Sequence, residues 1–264
     1  MHVGNVLIGT CGYSYDAWKG TFYPEDLPSH EMLRYYSLIF SFVELDFTWY
    51  RMPTPHQLEH LAALTPSDFR MSLKVHRSLT HEVEEGWRAH AASFREAVTA
   101  LQNTGRLGCV LVQLPYRFAY TVDNRRYLAH LLDELAMFPL VVEFRNAEWY
   151  LDRVFESLRA RHVGLVTIDR PDLPGLPPES VVRTSDLGYY RLHGRNASLW
   201  WSGDSTSRYE YRYSDEELRE RLRLVRLMAQ QSTQLFVAFN NHAQGNAAAN
   251  ALTLQSMLAS FKGG

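Results

Sequence analysis

Polar side chains recur in pairs near the ends of short apolar runs in this chain. Glu143 and Arg145 are two residues apart in Leu-Val-Val-Glu-Phe-Arg, and Arg191 and His193 have the same spacing in Tyr-Tyr-Arg-Leu-His. Side chains two residues apart on a β-strand point to the same face of the sheet. Three further pairs have this spacing: Glu44 and Asp46, Lys74 and His76, and Thr167 and Asp169. Because buried charges are costly unless they are paired, this repetition favours one functional cluster.

The residue types in the cluster suit acid–base chemistry on a polar or negatively charged ligand. Glu44 or Glu143 is predicted to be the general acid or base, with a pKa tuned by nearby cations, and His193 to assist proton transfer. Arg145, Arg191 and Lys74 would bind the negatively charged group of the ligand, since a guanidinium binds carboxylate or phosphate through parallel hydrogen bonds. The predicted catalytic residues are Glu44, Lys74, Glu143 and His193.

Ligand contacts are predicted at and just after the ends of the same apolar runs. Gln113, Asn240 and Asn241 are expected to orient a sugar-like or phosphate-like ligand. Tyr13 either stacks on that ligand or packs a loop, and His81 either supports the third loop or reaches the site. The predicted binding residues are Tyr13, His81, Gln113, Arg145, Asp169, Arg191, Asn240 and Asn241.

Two nucleophilic side chains near the cluster have alternative interpretations. Lys74 could form an imine with a carbonyl ligand if its pKa were depressed, but flanking acids would keep it charged, so charge stabilisation is favoured. Cys11 could act as a thiolate, but a buried thiol that fills apolar space is favoured.

Three other readings of the cluster stay open. The acids and bases could form a purely structural ion-pair network. A divalent metal is an option, since His76, His193, His242 and the acids are ligand types, but no HxH or HExxH motif occurs, so no metal ligand or required cofactor is predicted. The alternatives to an enzyme of unassigned reaction are a metal-dependent phosphodiester hydrolase resembling barrel endonucleases and a non-catalytic ligand-binding protein.

Eight short runs rich in β-branched and aromatic residues are predicted to position these side chains as buried strands. They are Val6–Gly12, Phe42–Thr48, Arg70–Val75, Cys109–Leu114, Leu140–Arg145, Gly164–Asp169, Tyr189–Gly194 and Leu235–Asn240. Amphipathic segments of helical period lie between most of them, such as Ser214–Gln231 with its capping-box start Ser-Asp-Glu-Glu. Alternating strands and helices predict a parallel sheet.

Eight such units favour a single (β/α)8 barrel of the TIM type over residues 1–264. The length agrees, because such barrels typically contain about 250 residues. An open doubly wound sheet is the alternative, but Gly9-Thr10-Cys11-Gly12 lacks its glycine-rich phosphate loop. Four prolines within Arg170–Pro178 predict that the sixth crossover is an irregular loop. The aromatic-rich segment Arg195–Tyr213 is expected to be a lid or binding wall. In a barrel, the paired polar residues would converge at the C-terminal mouth.

The composition disfavours some classes of binding partner and indicates where in the cell the protein is expected. With 27 basic and 29 acidic residues the formal charge is −2, which argues against general nucleic-acid or anionic-membrane binding. Two cysteines provide no disulfide framework, and no apolar run approaches the length needed to span a bilayer. We expect a cytoplasmic protein whose partner is a small ligand. The oligomeric state is not indicated.

The order of motifs along the chain resembles the YecE-like family, domain-of-unknown-function family 72. The early motifs are Gly9-Thr10-Cys11-Gly12-Tyr13-Ser14-Tyr15 with Trp18, Phe22-Tyr23-Pro24, and Val43-Glu44 with Thr48 and Tyr50-Arg51. The later motifs are Lys74 with Thr80-His81, Gln113 with Pro115, Glu143-Phe144-Arg145 with Trp149, Asp169, Arg191-Leu192-His193-Gly194, and Phe239-Asn240-Asn241. The resemblance implies a TIM-type barrel and no known activity. Asp46, Tyr116 and Asn146 depart from the family pattern beside the expected mouth.

Overall fold

A computed structural model of the chain describes residues 5–204 and 207–260, and within these ranges its sheet has nine parallel strands. They are β1 (Val6–Cys11), β2 (Phe42–Leu45), β3 (Arg70–Lys74), β4 (Leu107–Leu114), β5 (Leu140–Phe144), β6 (Gly164–Leu165), β7 (Thr167–Asp169), β8 (Leu187–Leu192) and β9 (Gln234–Phe239). Their order in the sheet is β6-β5-β4-β3-β2-β1-β9-β8-β7. Each strand from β1 to β5 therefore pairs with the next strand in the chain.

The two end strands of this order close the sheet into a barrel. Only Val166 separates β6 from β7, and its amide donates to Val142 of β5 at 2.9 Å, so the two segments act as one interrupted sixth strand. β6 pairs with β5, and β7 pairs with β8. The predicted TIM-type barrel is thus confirmed, with its sixth strand in two pieces.

Helices follow most strands and cover the outside of the barrel. They are α1 (Met32–Ile39), α2 (Phe47–Tyr50), α3 (Pro55–Ala63), α4 (Trp87–Asn103), α5 (Val122–Glu134), α6 (Asp152–Ala160), α7 (Asp215–Gln231) and α8 (Asn246–Ser260). The predicted capping box of α7 is present: Ser214 accepts from the Glu217 amide, while the Glu217 side chain accepts from the Ser214 amide. The cap satisfies two backbone donors that the first helical turn leaves free.

The barrel has two apolar layers because strand side chains alternate between its faces. Phe42, Leu111, Tyr189 and Phe236 belong to the inner layer. A larger layer packs the outer strand faces against the helices. The strands approach closely at Gly9, where an added Cβ would lie 2.0 Å from the Phe42 carbonyl oxygen. Only glycine allows that approach without displacing β2.

Two connections depart from regular strand–helix alternation. Residues 170–186 contain no helix, which confirms the predicted irregular sixth crossover. The second strand is shorter than predicted: β2 ends at Leu45, and Phe47–Tyr50 forms α2 at once. Asp46 therefore stands at a turn.

In the described part of the chain, no helix combines the length and apolarity that crossing a bilayer requires.

Candidate functional site

The strand register decides which polar side chains enter the barrel. Glu44 is level with Cys11, Lys74 with Leu111, and Glu143 with Gln113. Residues level in adjacent parallel strands face the same side, and Cys11 and Leu111 belong to the inner layer. Glu44, Lys74, Gln113 and Glu143 thus point inward at the C-terminal end.

Arg191 of β8 joins the two inward glutamates beneath the mouth. Its Nη2 donates to Glu44 Oε1 at 2.8 Å, and its Nη1 donates to Glu143 Oε2 at 2.6 Å. Tyr189 donates its hydroxyl proton to the other Glu44 oxygen at 2.7 Å. Both glutamates are completely buried. This Arg191–Glu44–Glu143 network, called here the floor, closes the base of the mouth.

The other Glu143 oxygen accepts from Arg145 and from His193. Asn240 Nδ2 donates to His193 Nδ1 at 3.0 Å, which assigns the imidazole proton to Nε2, 3.2 Å from Glu143. Burial opposes the charge of Glu143, but Arg145 and Arg191 outweigh it and hold its pKa well below the ordinary value. Burial and then Arg145 lower the pKa of His193 to about 3. The imidazole is therefore neutral near pH 7.

Above the floor is a cavity of about 340 Å³ whose lining is rich in cations and aromatic rings. Its cations are Lys74, Arg145, Arg191 and Arg208; its aromatic rings belong to Trp49, Tyr50, Tyr116, Trp200, Trp201 and Tyr209. The carboxylate in the lining is Asp46. Three carboxylates thus lie at or beneath a cavity that four cations line, which leaves it with an excess of positive charge.

Several donors at this cavity have no protein acceptor. Among the residues described, no ion pair or hydrogen bond involves Lys74 Nζ, whose neighbour is the Trp49 ring at 4.9 Å from its centroid. Arg208 donates through Nη2 to the Gly203 carbonyl at 3.4 Å and makes no ion pair within the described ranges. The Nε atoms of Arg191 and Arg208 are buried donors without a partner in that same part of the chain. Such donors favour an anionic ligand.

Two titratable groups face the cavity with pKa values shifted in opposite directions. Burial and the nearby Glu44 raise the pKa of Asp46, which accepts at 3.3 Å from Tyr15. Burial disfavours ionisation of Tyr209, but Arg145, Lys74 and Arg191 outweigh it and lower the phenol pKa. Arg145 Nη2 donates to the Tyr209 oxygen at 3.4 Å. A carboxyl that holds its proton more strongly and a phenol that releases its proton more readily are candidates for proton transfer.

The structure brings nine of the predicted site residues together. Those that line the cavity are Lys74, His81, Gln113, Arg145, Arg191 and Asn240, and those beneath it are Glu44, Glu143 and His193. His81 accepts from Trp49 Nε1 at 3.1 Å, and burial, followed by Lys74, lowers its pKa to about 3. Glu44 and Glu143 are bound by floor cations and do not line the cavity, so the geometry gives them a supporting position.

Three predicted residues lie elsewhere. Tyr13 lines a neighbouring pocket of about 270 Å³, which has Asp46 in common with the cavity. Asn241 is buried, donating to the Tyr211 carbonyl and to Asn250, both at 2.9 Å. Asp169 is level with Leu192, on the outer face of β7. None of these three residues therefore lines the cavity above the floor.

Asp169 is the centre of a separate polar network outside the barrel. It accepts from Arg195 at 2.7 Å, from Arg221 of α7 at 2.9 Å and from the Tyr213 hydroxyl. Arg221 also binds Glu179 of the sixth crossover. This network ties the crossover and both ends of the 195–213 segment to α7. His76 does not line the cavity either, and its ring bonds to Ser78 at 2.8 Å.

Sequence reasoning missed several cavity residues as ligand contacts. Asp46 was predicted in the cluster but without a role, and Arg208 and Tyr209 come from the irregular segment expected to form a lid or wall. Trp200 from that segment packs its ring 5.7 Å from the Arg145 guanidinium. The aromatic-rich composition of the segment indicates a wall of the site, but it does not indicate which of its residues face the cavity.

No group of three or more His, Cys, Asp or Glu side chains that could hold a metal occurs in residues 5–204 and 207–260. His76 and His193, two of the ligand types considered for a metal, point to different places, and His193 is already bound on both nitrogens. The residues described therefore offer the metal-dependent hydrolase hypothesis no ligand set.

Comparison with known proteins gives consistent matches over almost the whole chain. The family model "Protein of unknown function DUF72" matches residues 7–263. The UPF0759 protein YunF of Bacillus subtilis is 28% identical over 269 residues, covering 96% of this chain and 94% of the relative. A DUF72 family protein from Thermotoga maritima is 34% identical with a TM-score of 0.86, covering 96% and 99% of the two chains. Another, from Enterococcus faecalis, is 26% identical with a TM-score of 0.85, covering 96% and 95%.

Proposed function

The chain belongs to the DUF72 family of proteins of unknown function, and from that premise we propose an enzyme that performs acid–base chemistry on a small anionic ligand in the barrel mouth. The observation that carries the proposal is the cationic lining: Lys74 and Arg208 face the cavity without an ion-pair partner in the described residues. A carboxylate or phosphate group would supply the missing partner.

Electrostatics favours an anion over a neutral ligand here. Charges act strongly on one another in a cavity with low-dielectric walls, and an unpaired buried cation is costly until it is neutralised. The Arg145 guanidinium binds Glu143 through Nε and lies over the Trp200 ring. The aromatic wall then provides apolar surface for the remainder of the ligand, as is common in small-molecule sites.

Proton transfer is assigned to Asp46 and Tyr209, because these two titratable groups line the cavity beside the cations. The raised pKa of the Asp46 carboxyl suits a proton donor, and the lowered pKa of the Tyr209 phenol suits a group that gives and recovers a proton more readily than an ordinary tyrosine does. Glu44, Glu143 and His193 keep Arg145 and Arg191 in place and do not exchange protons with the ligand. The floor thus positions the cations before the ligand arrives.

Titration with inorganic phosphate tests this proposal. The full chain in a low-salt buffer should bind phosphate in an isothermal calorimetry experiment, and Arg208→Gln should weaken binding by about tenfold or more, since a charge-assisted hydrogen bond contributes about 1.5–3 kcal/mol. Arg212→Gln is the matched control, because Arg212 is exposed on the same segment and does not line the cavity. Equal loss in both variants, or no binding by the unmodified chain, would refute the anion site.

A further inference from the structure

Lys74 has an unusual position for a lysine. It is the last residue of β3, points inward, and lines the cavity. Other strong cations of the lining, Arg145 and Arg191, each bind a floor glutamate. Lys74 has no such carboxylate among the residues described, and the group beside its amine is the flat face of Trp49. An amine held in this way is free to meet a ligand.

The two floor glutamates near Lys74 are bound by another cation. The sequence favours a charged Lys74 because acidic residues are expected to flank it. In the folded chain both glutamates are bound to Arg191, at 2.8 and 2.6 Å. Burial and then Arg191 lower the pKa of Lys74 from its ordinary value. The pKa of Lys74 is thus shifted in the direction that imine chemistry requires.

We infer that Lys74 forms an imine with the carbonyl carbon of a small aldehyde or ketone that carries a phosphate or carboxylate group, held by Arg145 and Arg208 in the same cavity. This inference rests on the proposed anion site and names its substrate class. Lys74, Arg145 and Arg208 line one cavity, so one small ligand can present its anionic group to the arginines and its carbonyl to the Lys74 amine.

The chemical step balances without an oxidant or reductant. The lone pair of neutral Lys74 Nζ attacks the carbonyl carbon, a C–N bond forms, and the carbonyl π electrons move to oxygen, which takes up a proton. Nitrogen loses one proton to give a neutral carbinolamine. The hydroxyl then accepts a proton and leaves as water while the C=N bond forms, giving a protonated imine. Asp46 and Tyr209 are the cavity groups that carry these protons.

Reductive trapping tests the inference on the intact chain. The protein is incubated with glycolaldehyde phosphate and sodium cyanoborohydride, which reduces the imine to a stable secondary amine, and peptides are mapped by mass spectrometry. The chain has only three lysines, Lys19, Lys74 and Lys262. Lys19 is an internal control, because it is ion-paired with Asp16 at 3.2 Å. We expect Lys74 to carry the principal adduct, because its amine lines the cavity that holds the anionic group and its lowered pKa gives it a larger neutral fraction than an ordinary lysine has.

Two variants and a second probe separate the possible causes. Lys74→Arg should abolish the principal adduct, and Arg208→Gln should slow labelling by glycolaldehyde phosphate but not by uncharged glycolaldehyde. Labelling of all three lysines at similar rates would overturn the inference. Phosphate binding in calorimetry without an adduct on Lys74 would overturn the imine and leave the anion site standing. An adduct formed equally with both probes, without phosphate binding, would refute the anion site instead.

Discussion

Arg191→Met is expected to destabilise the protein by about 3–5 kcal/mol, measured as the free energy of unfolding in urea followed by circular dichroism. The substitution removes the cation shared by two completely buried glutamates. Glu143 keeps Arg145 and His193, but Glu44 is left with the Tyr189 hydroxyl. Uncompensated buried charge, more than lost volume, causes the effect.

The matched control is Arg219→Met, which removes an arginine from an exposed ion pair with Glu216 at 3.1 Å. Exposed pairs contribute little, so this change should stay within about 1 kcal/mol. Adding Glu44→Gln to Arg191→Met should recover part of the loss, because the amide needs no counter-charge. Equal destabilisation by the two arginine substitutions, or no recovery in the double variant, would show that the floor is not a coupled charge network.

Acidification is expected to destabilise the unmodified chain by about 2 kcal/mol more than the His193→Gln variant between pH 7 and pH 5. His193 has a pKa of about 3 in the folded state, against an ordinary value of 6.5. Below pH 6.5 the unfolded chain gains a proton that the folded chain refuses, so stability is lost as the pH falls through this window. The amide of the substituted side chain does not titrate, and it can still donate to Glu143 and accept from Asn240.

Urea unfolding curves at closely spaced pH values measure this difference. Other groups titrate in both proteins, and their contributions cancel in the comparison. His60→Asn is the control for replacing a histidine by an amide, since His60 is exposed on α3. If the unmodified chain and His193→Gln lost stability in parallel, the imidazole would not be held neutral by burial beside Arg145.

The fold was predictable because its signals are local and repeated. Buried strands and amphipathic helices alternate with spacings that only a few topologies accept, and the prolines after Asp169 exclude a helix directly. The interruption at Val166 was not predictable. It depends on how the last gap in the barrel closes, and the run Gly164–Asp169 reads as one continuous strand.

The candidate site was predicted only as far as the alternation of side chains allows. Period two shows that Thr167 and Asp169 share a face but not which face, and the register with β8 places both outside. The same argument succeeded for Glu143, whose level partner Gln113 also points inward.

Residues that follow the strands were harder to place. Asn241 comes one residue beyond Asn240 and turns away from the mouth to meet Asn250. Arg208 and Tyr209 come from a segment without regular period, where tertiary contacts alone decide what faces the cavity. Glu44 and Glu143 are bound by arginines and do not line the cavity, whereas Asp46 and Tyr209 do.

The position of a bound oxyanion tests the central claim most directly. Crystals of the full chain grown with sodium tungstate, a heavy-atom analogue of phosphate, would locate the ion by its anomalous scattering. We expect a peak in the cavity within contact distance of Lys74, Arg145 and Arg208, and its loss in Arg208→Gln. Peaks confined to arginines on the outer helices, with the cavity holding only solvent, would contradict the anion site.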